Sequence, residues 1–285
     1  MLDGGKGAAH GAVINYYLAE APAADAKATL AFLDADGNVV REFAPKPAGY
    51  DKLDDKDKGL NPGPWMPTKA GMNRFVWDLR QRGATRLRGN KTAGDANNGR
   101  FVLPGTYQVR LTVGDTVLTE SFTVVNDPRV QTPLADLKTQ SALLDEIYAK
   151  ISGVHEGVAT LRDVRTQAKS WADRLGKKKN GGAVVEAVND LVKKLDAIET
   201  VLILPGEHDD TFGLNQPVRL NAKLASLISV AGSADRVPTK QARDLFHTYA
   251  GQADDQLKAL HAILSDDLES LNSLIQESSI PPIVI

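Results

Sequence analysis

Apolar and polar residues alternate with a period of two along the first part of the chain, up to about residue 128. The segment 106–125 is the clearest example, because its two alternating runs flank Gly114–Asp115, a dipeptide suited to a two-residue turn. The segment 26–43 repeats this pattern around the turn sequence DADG. With the segments 12–20 and 73–80, these patterns predict about six or seven short strands, which is typical of an antiparallel β-sandwich.

Two aromatic residues are expected to organise that sandwich. Trp77 alternates in step with Phe75 and Leu79, so all three side chains should point into the core. Pro104–Gly105 predicts a turn before Tyr107, whose phenol would cap a nearby loop as tyrosine corners do.

Beyond Pro128 the apolar residues recur every three or four positions, which is the helical period. Residues 131–175 predict one long amphipathic helix with Thr132 as its N-cap and Pro133 in the first helical position. Three further helices are predicted, one from about Val184 to Leu202, one at about 217–231 and one after Pro238. Four helices with mostly short links predict an up-down-up-down bundle.

The change of period divides the chain into two predicted domains. Residues 1–128 are expected to form an all-β, immunoglobulin-like or fibronectin-III-like antiparallel sandwich with a long polar insertion at about 45–69. Residues 129–285 are expected to form an all-α antiparallel four-helix bundle with an extended C-terminal tail. The boundary should fall at 126–133, where prolines interrupt both patterns.

Composition excludes several classes of function. The formal net charge of −2 lacks the basic excess of a general nucleic-acid or membrane-surface binder. The absence of cysteine excludes disulfides, thiol catalysis and cysteine-ligated metal. No apolar run reaches the roughly 18 residues that a membrane span requires, and residues 1–18 do not have the pattern of a signal peptide. The sequence does not by itself identify the cellular compartment.

Trp65, in the proline-rich stretch NPGPWMP, is the candidate for ligand binding. An aromatic ring in such a loop can serve as a carbohydrate platform or can anchor the loop on a neighbouring domain, and packing is the preferred interpretation. The surrounding segment 50–67 spaces its aspartates loosely as in a calcium loop, but interleaved lysines favour a flexible inserted loop.

Metal binding has one weak candidate, the sequence EHDDTFG. His208, Asp209 and Asp210 could contribute ligands, but adjacent residues cannot all face one ion without a tight loop. A solvated loop between helices is therefore preferred, and no metal or cofactor is predicted. Three further histidines flank the apolar stripes of the predicted helices and are interpreted as boundary residues, namely His155, His247 and His261.

No motif indicates catalysis. The chain lacks G-x-S-x-G, a phosphate-binding glycine loop and H-E-x-x-H. Acidic residues such as Asp34 and Asp115 fall in predicted turns, where solvent would keep them ionised. The basic run 80–91 could bind anions, although a solvated loop is the more common role of such a run. An enzyme that uses acids of the 45–100 loops is the least supported hypothesis.

Four phrases occur in order along the chain: LDADGNVVREF, AGMNRFVWDLR, LPGTYQVRLTV, and DPR leading into a helix. This set resembles the region C-terminal to the β-propeller in bacterial proteins with sortilin-type or BNR repeats, often labelled glycosyl-hydrolase-like. The first three phrases are also similar to the immunoglobulin-like domain of flagellar hook-capping proteins. The resemblance covers about residues 11–140 and implies an exported parent, periplasmic or extracellular, of which this chain is the non-propeller part.

The resemblance and the absence of catalytic motifs favour a non-catalytic structural or interaction module. Its expected partner is the propeller domain of the parent chain or another protein, and no nucleic-acid partner is expected. The alternative is a carbohydrate-binding accessory domain that uses Trp65.

Overall fold

The structure is a computed structural model, which describes residue 7 and residues 9–23, 26–175, 181–205 and 216–277. About 20% of the chain is strand and about 50% is helix, so the fold is mixed α and β. The strands lie before residue 125 and the long helices begin at residue 134, as the change of period predicted. Within the described ranges, no helix combines the length and the apolar character that crossing a membrane would need.

Eight strands lie in the described part of the chain, and all of their pairings are antiparallel. In chain order they are β1 (Ala12–Leu18), β2 (Ala28–Leu33), β3 (Val39–Phe43), β4 (Gly71–Trp77), β5 (Arg80–Arg82), β6 (Asn98–Phe101), β7 (Gly105–Val113) and β8 (Thr116–Val124). They form a four-stranded sheet in the order β3-β2-β7-β8 and two two-stranded sheets, β1-β4 and β5-β6. The predicted turn between β7 and β8 is present, with Gly114 at a φ of 56°.

One apolar core joins β1 and β4 to the four-stranded sheet. Trp77 is fully buried and stacks on Phe32 with 4.2 Å between ring centroids. Tyr107 is buried beside it, and its hydroxyl donates a hydrogen bond to the Leu103 carbonyl at 2.8 Å. The inward direction predicted for Trp77 and the loop-capping role predicted for Tyr107 are both confirmed.

The helices in the described part of the chain are α1 (Asp55–Leu60), α2 (Leu134–Leu175), α3 (Gly182–Leu202), α4 (Leu220–Gly232), α5 (Lys240–Ala262) and α6 (Leu268–Glu277). A π-helical turn, Ile263–Asp267, joins α5 to α6, so the last predicted helix is interrupted by a wider turn. The predicted N-cap of α2 is wrong, because the helix begins at Leu134 and the Thr132 hydroxyl donates to the Asp235 carbonyl instead.

The chain divides into two compact units that are interleaved along the sequence. One comprises Met1–Gly83, Asn98–Leu144 and Ala234–Val237, and the other comprises Ala84–Asn97, Asp145–Ser233 and Pro238–Ile285. We call them the strand unit and the helical unit. The sequence patterns suggested one boundary near residue 128 instead. The difference arises because the loop 84–97 is held by polar contacts to helices, such as the 3.0 Å hydrogen bond from the Thr85 amide to Ser152 Oγ, and these contacts have no sequence period.

Replacing Trp77 by alanine should lower the free energy of unfolding by about 3–5 kcal/mol, because a large cavity would remain in the core. Trp65→Ala is the matched control and should lower it by about 1 kcal/mol, since the Trp65 ring is only partly buried. Urea titration followed by circular dichroism measures both values. Similar large losses in the two variants would show that the 45–69 segment is as much a part of the core as Trp77.

Candidate functional site

The insertion at 45–69 is anchored to the strand unit at its C-terminal end. Met66 is 2% exposed within the core, and its amide donates to the Ala44 carbonyl at 2.9 Å. The hydroxyl of Tyr16 donates to the Pro67 carbonyl, and burial raises the pKa of Tyr16 to about 12, so the phenol remains a donor. Trp65 immediately precedes this anchor and lies partly exposed, because neighbouring side chains of an extended segment point in opposite directions.

Trp65 belongs to a small surface cluster with Tyr50 and Lys46. The rings of Trp65 and Tyr50 meet edge to face, with centroids 5.1 Å apart. The Lys46 ammonium lies 5.5 Å from the centroid of Tyr50 and 2.6 Å from a carboxylate oxygen of Asp51. A flat, partly exposed ring beside a hydrogen-bonding ammonium and carboxylate can stack on the apolar face of a sugar and bond to its hydroxyl groups.

The aspartates of the same insertion have local structural roles. Asp54 caps α1, because its Oδ1 atom accepts a hydrogen bond from the Asp57 amide at 2.8 Å. Asp51 pairs with Lys46, and Asp55 lies 3.9 Å from Lys58. The segment predicted as a flexible loop therefore contains the short helix α1, which has no helical period in the sequence.

The predicted metal candidates His208, Asp209 and Asp210 lie outside the described residues. Among the residues that are described, no three His, Asp or Glu side chains come together in a way that could hold a metal ion.

Turn acids have the environment expected of ionised groups. Asp34 accepts hydrogen bonds from the Asn38 side chain at 3.1 Å and from the Asn38 amide at 2.9 Å. The Asn38 side chain is the largest cause that holds the pKa of Asp34 below its ordinary value. The Arg129 side chain likewise lowers the pKa of Asp127. Carboxyl groups of this kind remain charged and do not act as general acids near neutral pH.

The prediction that His155 is a boundary residue is wrong, because its side chain is buried and only 4% exposed. Its Nδ1 atom lies 2.6 Å from the Thr85 carbonyl, which makes Nδ1 the protonated nitrogen. Its Nε2 atom then accepts a hydrogen bond from the Asn90 side-chain amide at 3.3 Å. Burial is the main cause that lowers the pKa of His155. His247 and His261 are exposed.

Asn90 extends this contact into a buried polar network inside the helical unit. Its Oδ1 atom accepts from the Thr92 amide at 3.2 Å and from Asn221 Nδ2 at 3.3 Å. Asn221, on α4, is fully buried. The ring nitrogens of His155 both have protein partners, and so do both polar side-chain atoms of Asn90. The network is therefore structural and attaches the loop 84–97 to α2 and α4.

A buried ion-pair cluster continues this anchor. Glu199, on α3, is 1% exposed and accepts from Arg162 Nε at 2.7 Å and from Arg165. Arg162 also donates to the Arg88 carbonyl at 2.9 Å, so the same side chain connects α2 to α3 and to the loop. A buried carboxylate held by two guanidinium groups is structural, because its lone pairs are already engaged.

A groove of about 530 Å³ lies between α3 and α6 within the helical unit. It combines apolar residues such as Leu191 and Leu271 with the Lys194–Asp267 ion pair, in which the charged atoms are 2.6 Å apart. Asp267 closes the π-helical turn, a feature often found near functional sites. No described residue in the groove is a buried polar group that lacks a partner, so the lining does not identify a ligand.

No protein-family model, no curated protein and no solved structure matches the chain. The buried network and the ion-pair cluster account for fold stability, and the exposed side chains of the strand unit remain as candidates for binding.

The stability of the protein should fall below about pH 6.5 because of His155. Above the ordinary histidine pKa of about 6.5, the ring is neutral in both the folded and the unfolded chain. Below it the unfolded chain takes up the proton first, because burial lowers the pKa of His155 in the folded protein. The free energy of unfolding should then decrease by up to about 1.4 kcal/mol per pH unit from this residue.

Urea titrations at several pH values between 5 and 8 measure this effect. His155→Gln should be less stable at pH 8 and should lose less stability than the wild type as the pH falls. His247→Gln, at an exposed position, is the control and should keep the wild-type slope. Identical slopes for the wild type and His155→Gln would exclude His155 as the source.

Proposed function

We propose that the chain is a non-catalytic structural and interaction module, built from an immunoglobulin-like sandwich and a helical bundle and appended to a β-propeller protein. The sandwich is supported by the core that β1 and β4 share with the four-stranded sheet. The corner-like hydrogen bond of Tyr107 supports it further. The bundle is supported by the long helices α2, α3 and α5 and by the apolar residues they bury.

The outward face of the β1-β4 sheet is the observation on which the proposal rests. Tyr17 and Met72 are directly opposite each other in the register, and they are 65% and 61% exposed. Val13 and Val76 form a second outward pair, and Asn15 and Arg74 lie between the two pairs. We call these six residues the β1-β4 face.

The composition of the β1-β4 face is that of a protein interface. Tyrosine, methionine and arginine are enriched at interfaces, because they combine contact area with a polar or adaptable group. Single exposed apolar residues are normal on protein surfaces, but here two apolar pairs share one short ribbon. A partner that covers this ribbon would remove both pairs from water, and that partner is either the propeller domain or another protein.

The environment of the acids supports a role without catalysis. Asp34 and Asp127 have lowered pKa values, and Glu199 is fully engaged by two arginines. General acid catalysis of glycoside hydrolysis requires a carboxyl group whose pKa is raised by its surroundings.

Site-specific photo-cross-linking tests this proposal. A benzophenone amino acid placed at position 17 or 72 should cross-link to one defined protein in the source cell, and the same group at exposed position 119 should not. The double variant Tyr17→Ser/Met72→Ser should weaken binding of that protein by about tenfold or more, as expected for central interface residues. It should change the free energy of unfolding by only about 0.5 kcal/mol per site.

Cross-linking that is equally strong at positions 17 and 119 would count against the β1-β4 face. The same holds if the double variant binds the captured protein as tightly as the wild type does. The wild-type circular dichroism spectrum of the variant is the control for folding.

A carbohydrate-binding accessory role is the second candidate, and the cluster of Trp65, Tyr50 and Lys46 favours it. Binding of neutral polysaccharides, measured by affinity electrophoresis, should disappear in Trp65→Ala. Phe101→Ser removes another exposed aromatic ring of the strand unit and should leave such binding unchanged. Equal retardation of the wild type and Trp65→Ala on every polysaccharide would exclude Trp65 as a sugar platform.

A further inference from the structure

The β5-β6 ribbon carries a concentrated positive charge. Its two strands contain Arg80, Arg82 and Arg100 and no acidic residue. Phe101, at the end of β6, is 59% exposed although it is a large aromatic residue. Neither the core of the strand unit nor the β1-β4 face accounts for this ring.

Arg80 and Phe101 form a fixed pair on one face of the ribbon. They are opposite each other in the register, and the Arg80 guanidinium carbon lies 3.8 Å from the centroid of the Phe101 ring. Arg80 NH1 also donates to the Gly99 carbonyl at 2.8 Å. The Phe101 ring and the Gly99 carbonyl together restrict the conformations of the Arg80 side chain. Binding of a ligand would therefore cost less side-chain entropy at Arg80.

Arg82 continues this face. It lies two residues beyond Arg80 in the same strand, so the alternation of side chains places both on one side. The register shifts between Arg80 and Arg82, where β6 holds an extra residue. Gly99 permits the shift, because a Cβ atom there would lie 2.1 Å from the Gln81 carbonyl oxygen. Arg82 is exposed.

We propose that Arg80, Arg82 and Phe101, the basic ribbon face, bind an extended acidic segment of a partner protein with carboxylates at alternate positions. Side chains two residues apart in an extended chain are separated by about 6.5–7 Å, which is also the spacing of Arg80 and Arg82 along β5. A guanidinium group binds a carboxylate through two parallel hydrogen bonds. The residues between the acids would point away from the ribbon, because neighbouring side chains of an extended chain point in opposite directions.

The surrounding charges define the limits of this face. Asp78 precedes β5, and its carboxylate accepts from the Arg80 amide at 3.1 Å, so it lies at the start of the strand. Arg41 adds a positive charge beside the ribbon, where its NH1 atom lies 3.5 Å from the Gln81 carbonyl. The charge complementarity therefore favours an anionic occupant along β5.

A peptide fits these observations better than a nucleic acid does. Single-stranded nucleic acids bind to successive aromatic platforms, whereas the ribbon offers Phe101 with one ring face already covered by Arg80. This inference rests on the proposed interaction role but uses a different surface from the β1-β4 face.

Fluorescence anisotropy with labelled peptides and the full chain tests the proposal. The main probe is a dodecapeptide of alternating Glu and Thr. One control has Gln in place of Glu, and a second has the same charge with all Glu residues in one block. The alternating peptide should bind at least about tenfold more tightly than the Gln control and severalfold more tightly than the block peptide, and its binding should weaken with added salt.

Variants locate the binding on the ribbon. Arg82→Gln should reduce affinity for the alternating peptide by about tenfold. Arg82→Lys should give an intermediate loss, because lysine keeps the positive charge but cannot form two parallel hydrogen bonds to a carboxylate. Arg110→Gln removes the same charge from β7 and should have little effect. Equal losses for Arg82→Gln and Arg110→Gln, or tighter binding of single-stranded DNA with the same number of charges, would overturn the proposal.

The peptide experiment and the cross-linking experiment fail separately. Loss of peptide binding in the Arg82 variants does not require that the natural partner be known. A chain that cross-links through position 17 but binds no acidic peptide would retain the interaction role and lose this inference. Peptide binding without any cross-link at positions 17 and 72 would retain this inference and would remove the β1-β4 face as the partner surface.

Discussion

The buried indole of Trp77 is the contact on which the strand unit depends. It stacks on Phe32 of the four-stranded sheet and meets Tyr107 and Phe122 edge to face, so one side chain of β4 contacts β2, β7 and β8. Its Nε1 atom donates to the Arg80 carbonyl at 2.9 Å, so the buried indole N–H has a hydrogen-bond partner. The same residue thus connects the two facing sheets and fixes the start of β5.

The hydrogen bond from Trp77 to Arg80 explains the backbone between β4 and β5. Leu79 has a φ of 59°, a left-handed conformation that an ordinary leucine avoids. Such strain persists only where the surroundings hold it in place. Two hydrogen bonds hold this corner. The Trp77 indole donates to the carbonyl of Arg80, and the Val102 amide donates to the Leu79 carbonyl at 2.8 Å. The corner directs Arg80 toward Phe101, so the geometry of the basic ribbon face follows from the packing of the core.

The sequence patterns predicted elements whose residues are related by a short period. The β7-β8 hairpin, the burial of Trp77 and the long helices α2, α3 and α5 all follow from spacings of two or of three to four residues. His155 was placed wrongly because its burial depends on Thr85 and Asn90, which lie 70 and 65 residues away in the chain. For the same reason, the sequence did not predict that the loop 84–97 belongs to the helical unit. Hydrogen bonds between distant polar residues have no periodicity, so a single sequence does not reveal them.

The candidate sites, unlike the core, depend mainly on side chains that are distant from one another in the chain. Trp65 was recognised from its proline-rich context, and the structure adds Tyr50 and Lys46 as neighbours that spacing alone did not join to it. Tyr17 and Met72 could be identified as one surface only from the strand register, which places them opposite each other. Arg80 and Phe101 likewise lie 21 residues apart in the chain and meet through the β5-β6 pairing. In each case the fold brings together side chains that are distant in the chain and that the core does not use. Exposed aromatic and arginine residues of this kind are most readily explained by a binding partner.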